Sequence, residues 1–330
     1  MFEKLKSFFS NTASGGKASL ETLHFMWQHK TYFVFPFLKI IATLLCLSVI
    51  ALMGLLIAFS DRGFVFFRHL HPEGMHISLS TTSVILLILL FPLAAVLLTF
   101  SRSVIEGMIH FYTHALLDEQ PISLWQSAKL TLKKTWVLIA WAIISLIVHI
   151  FTSQREKRQS SIINTLLWFA SLSWYMVTFF VMPLILSEDK GVFKSLYESY
   201  TLMKENFGLN TGALVTFSVL RSGTLLTIQL FIFLGLLCVT ALTHPALLYA
   251  VINTIRSAFT DSSIEHIVLS AQDIQALLTA LFIMIPVCMY FNSVFATAKT
   301  VFKTAVYRSL KGELTGPFSK VLIKDAVLNQ

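Results

Sequence analysis

The chain has 330 residues, 55% of them hydrophobic and only 13% charged, with a formal net charge of +8 and a mean hydropathy of +0.74. Soluble domains carry about 25% charged residues, so this composition excludes an ordinary soluble enzyme, and the apolar segments leave no length for a separate soluble catalytic domain. Cys46, Cys238 and Cys288 all fall in apolar runs without a CxxC pair, which argues against a disulfide or zinc framework.

Six runs contain no Asp, Glu, Lys or Arg: 40–60, 74–101, 135–154, 159–187, 222–255 and 274–298. Each is at least 20 residues long, enough to cross a hydrocarbon core of roughly 30 Å at about 1.5 Å per residue. The predicted fold class is therefore all-α. It is a polytopic membrane protein, a bundle of about six transmembrane helices with amphipathic helices on the cytoplasmic interface. The spans are placed at about 36–60, 78–101, 135–152, 160–187, 211–241 and 272–298. They lie in a membrane domain over 19–314, between a basic lead (1–18) and a tail (315–330).

In chain order, the lead carries Phe2, Leu5, Phe8 and Phe9 at roughly helical spacing, suited to an interfacial anchor or to a partly ordered tail. The first apolar run is too long for a signal h-region and is expected to stay as a helix. Ser19 is placed as the cap of a surface helix through Leu20, Leu23, Met26 and Trp27, with Pro36 turning the chain into the first span. Lys39, near the end of that span, is expected to snorkel. A short outer loop from Asp61 holds a loose cluster of His69, His71 and His76.

The second span carries Pro92. Beyond it Glu106, His110, His114 and Asp118 recur every four residues, which puts two carboxylates and two imidazoles on one helical face. His110 and His114 have the i, i+4 spacing of a metal-chelating pair. They are only weak metal candidates, because no HExxH arrangement and no third ligand accompany them. A hydrated face or a Glu106–Arg221 ion pair is the preferred expectation. Ile122, Trp125, Leu132 and Trp136 then form an apolar stripe apart from Lys129, Lys133 and Lys134.

After the fourth span, with Pro183, the residues Val192, Phe193, Leu196, Tyr197 and Leu202 form a second such stripe. The fifth span places Ser218, Arg221, Ser222 and Gln229 on one face, with Arg221 roughly 13 Å from the inner boundary. A charge at that depth costs a few kcal/mol unless paired or hydrated. The face reads either as a polar cavity or anionic-ligand contact, or as an arginine snorkelling to inner-leaflet phosphates. Residues 245–259 are a further surface helix, and Ser270 with Asp273 a capping box for the last span, which carries Pro286.

Prolines at 92, 183 and 286 bend helices or merely shape their packing. Pro92 precedes Tyr112 by 20 residues and Pro286 precedes Tyr307 by 21, each followed by an acidic turn. This suggests three helical hairpins in which a proline-bearing helix returns inward.

Seventeen Lys and Arg residues fall in the N-terminal lead, the second and fourth connectors and the tail, against six in the first, third and fifth connectors. By the positive-inside rule both termini face the cytoplasm of an inner (plasma) membrane protein. The same asymmetry argues against a nucleic-acid partner. No GxSxG elbow, phosphate-binding loop or dinucleotide fingerprint is present, and no cofactor is implied.

Three stretches resemble a family of uncharacterised bacterial integral membrane proteins of about six helices, itself distantly similar to the membrane domain of some glycerophosphodiester phosphodiesterases. They are HFMWQHKTYFVFPFLKII with Trp27, Lys30 and Pro36; HALLDEQPISLWQSAKLTLKKTWVLIAWAI; and the segment holding Pro183, Glu188, Gly191, Ser199, Lys204 and Gly208. The resemblance covers most of residues 20–300. It implies the fold but transfers no activity, because no phosphodiesterase domain accompanies it here.

The function expected is non-catalytic: binding of membrane lipids through anionic headgroups at the inner face, or of a partner membrane protein or a second copy of the chain. The alternatives are a permease or transporter of a small or lipid-like solute using the Arg221 face, and a membrane-bound metal-dependent enzyme.

Overall fold

A computed structural model describes residues 2–58, 81–153, 170, 173–243 and 271–313. Nine α-helices account for nearly all of them: α1 (Phe2–Gln28), α2 (Val34–Ala58), α3 (Thr81–Leu117), α4 (Leu124–Leu132), α5 (Thr135–Ser153), α6 (Val181–Glu188), α7 (Val192–Glu205), α8 (Phe207–Thr243) and α9 (Ala271–Leu310). No strand occurs among the described residues. A 3-10 turn, Lys30–Phe33, joins α1 to α2.

Among the described residues, three stretches are long and apolar enough to cross a membrane: Lys30–Leu52, Pro92–Leu117 and Phe207–Ile232. Counting Leu124–Leu132 with Thr135–Ile150, a pair bent by 76°, as one more gives up to four. Much of the expected fourth span, and the side chains at the start of the sixth, lie outside the described residues. So do the histidine-bearing outer loop, the 245–259 helix and Ser270. The chain divides into two compact units, Met1–Val215 with Ala296–Gln330, and Thr216–Phe295.

α1 corrects the sequence expectation of a helix that starts with a cap at Ser19. It runs unbroken through Gly15 and Gly16, and Ser19 sits in its interior, its hydroxyl donating back to the Gly16 carbonyl at 2.7 Å. Ser14 and Thr22 donate to the carbonyls four residues earlier in the same way. A glycine inside a helix costs about 1 kcal/mol against alanine. Here that cost is offset by close packing on α8. A Cβ on Gly15 would stand 1.9 Å from the Leu209 carbonyl oxygen, and one on Gly212 would stand 1.9 Å from that of Thr12. Gly208 and Gly212 form the small-xxx-small pattern that lets two helix backbones touch.

α2 and α3 pack antiparallel. The Tyr32 hydroxyl donates to Thr113 Oγ1 at 3.0 Å, and the rings of Tyr32 and Phe35 meet Tyr112 at centroid distances of 5.3 and 5.8 Å. α3 meets α4 where Gly107 leaves room for Thr131. A capping box starts α4, with Ser123 Oγ accepting the Gln126 N–H at 3.1 Å and Gln126 Oε1 accepting the Ser123 N–H at 2.9 Å. An apolar core joins α5, α6 and α7 through Leu138, Trp141, Met182, Ile185 and Val192, with Trp174 stacked on Trp141.

Pro183 does not sit mid-helix. The chain turns at Thr178–Phe180 and restarts as α6 at Val181, which puts Pro183 in the first turn, where its missing N–H has no partner to lose. The Phe180 N–H is satisfied by Ser199 Oγ of α7 at 2.9 Å. Pro92 and Pro286 lie inside continuous helices.

Candidate functional site

The C-terminal ends of α3, α6 and α9 are each followed by a residue in the left-handed region: Glu119 (φ 59°), Asp189 (φ 53°) and Gly312 (φ 72°). Such caps end helices while leaving terminal carbonyls to be satisfied from elsewhere. Arg308 does this across helices. Its guanidinium is 4% exposed and donates to the carbonyls of His114 at 3.0 Å and Glu313 at 3.1 Å, and it pairs with Asp118. Asp118 also lies 2.9 Å from His114 Nδ1.

A second set of ion pairs centres on Glu188. Its carboxylate accepts from the Tyr307 hydroxyl and pairs with Lys311 at 2.7 Å and with Lys190, which also reaches Glu198. Lys134 pairs with Asp189. Partial burial pushes the Glu188 pKa up, but the hydrogen bonds from Lys190, Lys311 and Tyr307 outweigh it and hold it at about 2, below the ordinary 4.5. The Tyr307 hydroxyl is pushed up, by burial first and then by Glu188.

A carboxyl depressed on folding adds stability that is complete above about pH 4.5 and is lost as pH falls towards 2. The melting temperature in neutral detergent should therefore fall across that window. Glu188→Gln should flatten the fall by about 3 °C or more. An unchanged acid profile in the variant would exclude this role.

One turn above Arg308, His110 is fully buried. Its Nδ1 lies 3.0 Å from Thr304 Oγ1 and its Nε2 lies 2.9 Å from Ser187 Oγ. Thr304 spends its own proton on the Thr300 carbonyl. Nδ1 therefore donates to Thr304, and Nε2 accepts from Ser187. With both ring nitrogens engaged, His110 has no free lone pair for a metal. No group of three metal-ligating side chains occurs among the described residues.

The contacts from α3 to α9 keep a constant offset of 194 positions, in His110–Thr304 and in His114–Arg308. The two helices are therefore parallel and in register there. Pro92 and Pro286 are separated by the same 194 positions.

Of the residues expected to form a site, Ser218, Arg221, Ser222 and Gln229 are all exposed on α8. Glu106 is half-buried. Lys39 of α2 and Lys303 of α9 lie within its electrostatic reach. Lys303 stands over the Phe179 ring with Nζ 5.0 Å from its centroid. Counting charges by segment assigned Lys303 to the tail. The available signal was its place seven residues after Ala296 on a helix whose apolar face continues to Val306.

A separate cavity of about 370 Å³ is lined by Met176, Val177, Tyr200, Met203 and Phe207, with Lys204 as its charged member. No protein-family model, curated protein or solved structure matches the chain.

Proposed function

We propose that this chain is a non-catalytic, multi-pass inner-membrane protein of about six transmembrane helices, with both termini cytoplasmic, that binds anionic lipid at its inner face. The observation that carries this reading is the orientation of α4 and α7. Their small polar residues face the protein: Ser127 and Thr131 are buried on α4, and Ser195 and Ser199 on α7. Their aromatic residues and the adjoining Trp136 face outward: Trp125 is 76% exposed, Trp136 84%, Phe193 78% and Tyr197 74%.

A helix in water would bury those rings. Ring-bearing residues beside Lys129, Lys133, Lys194 and Lys204 suit the headgroup layer, where aromatic side chains concentrate and each basic residue gains about 1 kcal/mol from anionic lipid. The apolar cavity beside Lys204 has room for part of an acyl chain. Membership of the bacterial six-helix family is part of this proposal and rests on the three stretches quoted above.

The test is native mass spectrometry of the protein released from nanodiscs of equal phosphatidylcholine and phosphatidylglycerol. Retained phosphatidylglycerol should exceed phosphatidylcholine by about fivefold. Replacing Lys129, Lys133, Lys194 and Lys204 together by Gln should abolish that preference. Equal retention of both lipids by the wild type would sink the proposal.

A second reading, transport of a small or lipid-like solute, is favoured by one observation. A cation with three polar neighbours lies exposed on a helix long and apolar enough to cross a membrane. Arg221→Leu should then abolish flux in reconstituted vesicles while leaving the melting temperature within about 2 °C. If no solute tested moves in wild-type vesicles, this reading falls, and a partner protein or second copy covering Arg221 is the better one.

A further inference from the structure

Lys39, Arg102, Glu106 and Lys303 come from three helices and converge on one region of the bundle. The antiparallel register of α2 and α3 is fixed by Tyr32 against Thr113. Seven residues, or two turns, onward from Tyr32 and seven back from Thr113 bring Lys39 level with Glu106. The parallel register of α3 and α9 is fixed by His110 against Thr304, which places Lys303 level with Ile109, less than one turn from Glu106. Lys39 lies within electrostatic reach of Glu106, Lys303 and Arg102, and Lys303 within reach of Glu106. Lys39, Glu106 and Lys303 are half-buried, and Arg102 stands exposed at the rim.

The charges in this layer do not balance. Among the described residues, none of the four makes an ion pair. The ring of Phe179 under Lys303 is worth only about 0.5–2 kcal/mol and carries no net charge. Among the described residues, three cations lie near one carboxylate, an excess of two positive charges, and two of those cations are half-buried. Around Glu188, by contrast, Lys134, Lys190 and Lys311 are matched by Glu188, Asp189 and Glu198. Half-buried lysines from two helices beside one carboxylate are the feature that calls for an outside anion.

We propose that Lys39, Arg102 and Lys303 bind the phosphate group of a phosphate ester, with Glu106 holding the two lysines in place. A phosphate dianion matches the excess charge, and cations from three helices can each reach a different oxygen of a tetrahedral group. Lysine serves phosphate as a compact point charge, and arginine as a fork at the rim. The inference deepens the proposed function and rests on it for placing this layer at headgroup depth. Both lipid phosphate and a soluble phosphate ester have the required chemistry. Glu106 keeps binding reversible by cancelling part of the field.

The test uses the full chain in an uncharged detergent, with dihexanoyl phosphatidate and inorganic phosphate as separate probes, read by titration calorimetry. One phosphatidate should bind per chain. Lys39→Met and Lys303→Met should each weaken it about tenfold, and Lys303→Arg should keep it within about threefold. Glu106→Gln should tighten it about tenfold, a sign that a merely structural role would not give.

Displacement of phosphatidate by inorganic phosphate supports the site with a soluble ester as its ligand, and lack of displacement supports it with a lipid. Wild-type affinity in both methionine variants, or weaker binding in Glu106→Gln, would overturn it. If replacing Lys129, Lys133, Lys194 and Lys204 removes binding while both methionine variants keep it, the site is wrong but the lipid-binding function stands. If phosphatidate does not bind the wild type while phosphatidylglycerol enrichment in nanodiscs persists, again only the site falls.

Discussion

Replacing Gly212 by alanine is expected to destabilise the protein by about 3 kcal/mol or more, the upper range for overpacking a tight interface. The new Cβ would stand 1.9 Å from the Thr12 carbonyl oxygen, 2.7 Å from its carbon and 2.8 Å from its Cα. All three are backbone atoms, so no side chain can swing aside and α1 must move as a body. Gly15→Ala should act in the same direction through the Leu209 carbonyl. Gly54 and Gly223 provide the control, because nothing lies within 4 Å of a Cβ built at either. Alanine at those positions should be neutral or stabilising by up to about 1 kcal/mol. Unfolding in mixed micelles measures all four variants. Equal effects at Gly212 and Gly223 would refute close packing of α1 on α8.

Arg308→Met should cost about 3 kcal/mol, the second large effect. It removes hydrogen bonds to the carbonyls of His114 and Glu313 and the pairing with Asp118, leaving a helix-terminal carbonyl without its donor. Breaking a buried pair costs 3–5 kcal/mol in general. The value expected here is at the low end because Asp118 is 37% exposed and water can solvate it. Arg308→Lys should recover about half, since an ammonium keeps the charge but cannot fork between two carbonyls and a carboxylate. Asp118→Asn should cost less than Arg308→Met, because both carbonyl bonds survive. An Arg308→Met protein that unfolds within about 0.5 kcal/mol of wild type would show that Arg308 does not hold α3 to α9.

The stretches picked out by pattern are the ones held by local rules. The segments that hold the expected stripes contain α4 and α7, and the acidic turns after Tyr112 and Tyr307 hold left-handed residues at Glu119 and Gly312. The Ser123–Gln126 capping box was also legible from its S-x-x-Q spacing and was missed. The pattern failed where a local signal was overruled by a neighbour. Gly15, in the lead, is a contact surface against α8. Pro183 resembles a mid-span kink but opens α6, because Ser199, 16 residues later, satisfies the N–H freed by the turn at Phe180. Lys39 and Lys303, the lysines within electrostatic reach of Glu106, stand on α2 and α9, far from it in the chain.

By itself the sequence determined that the described residues are helical, with segments long and apolar enough for a bilayer, because helix length and hydropathy depend only on residues close together in the chain. It also determined which faces of α4 and α7 are aromatic and basic. Only the tertiary structure decided which charges meet, since Lys39, Glu106 and Lys303 lie far apart along the chain. Their approach depends on two helix registers, one set by Tyr32 on Thr113 and the other by His110 on Thr304. A register is a property of packed surfaces, and no single helix encodes it.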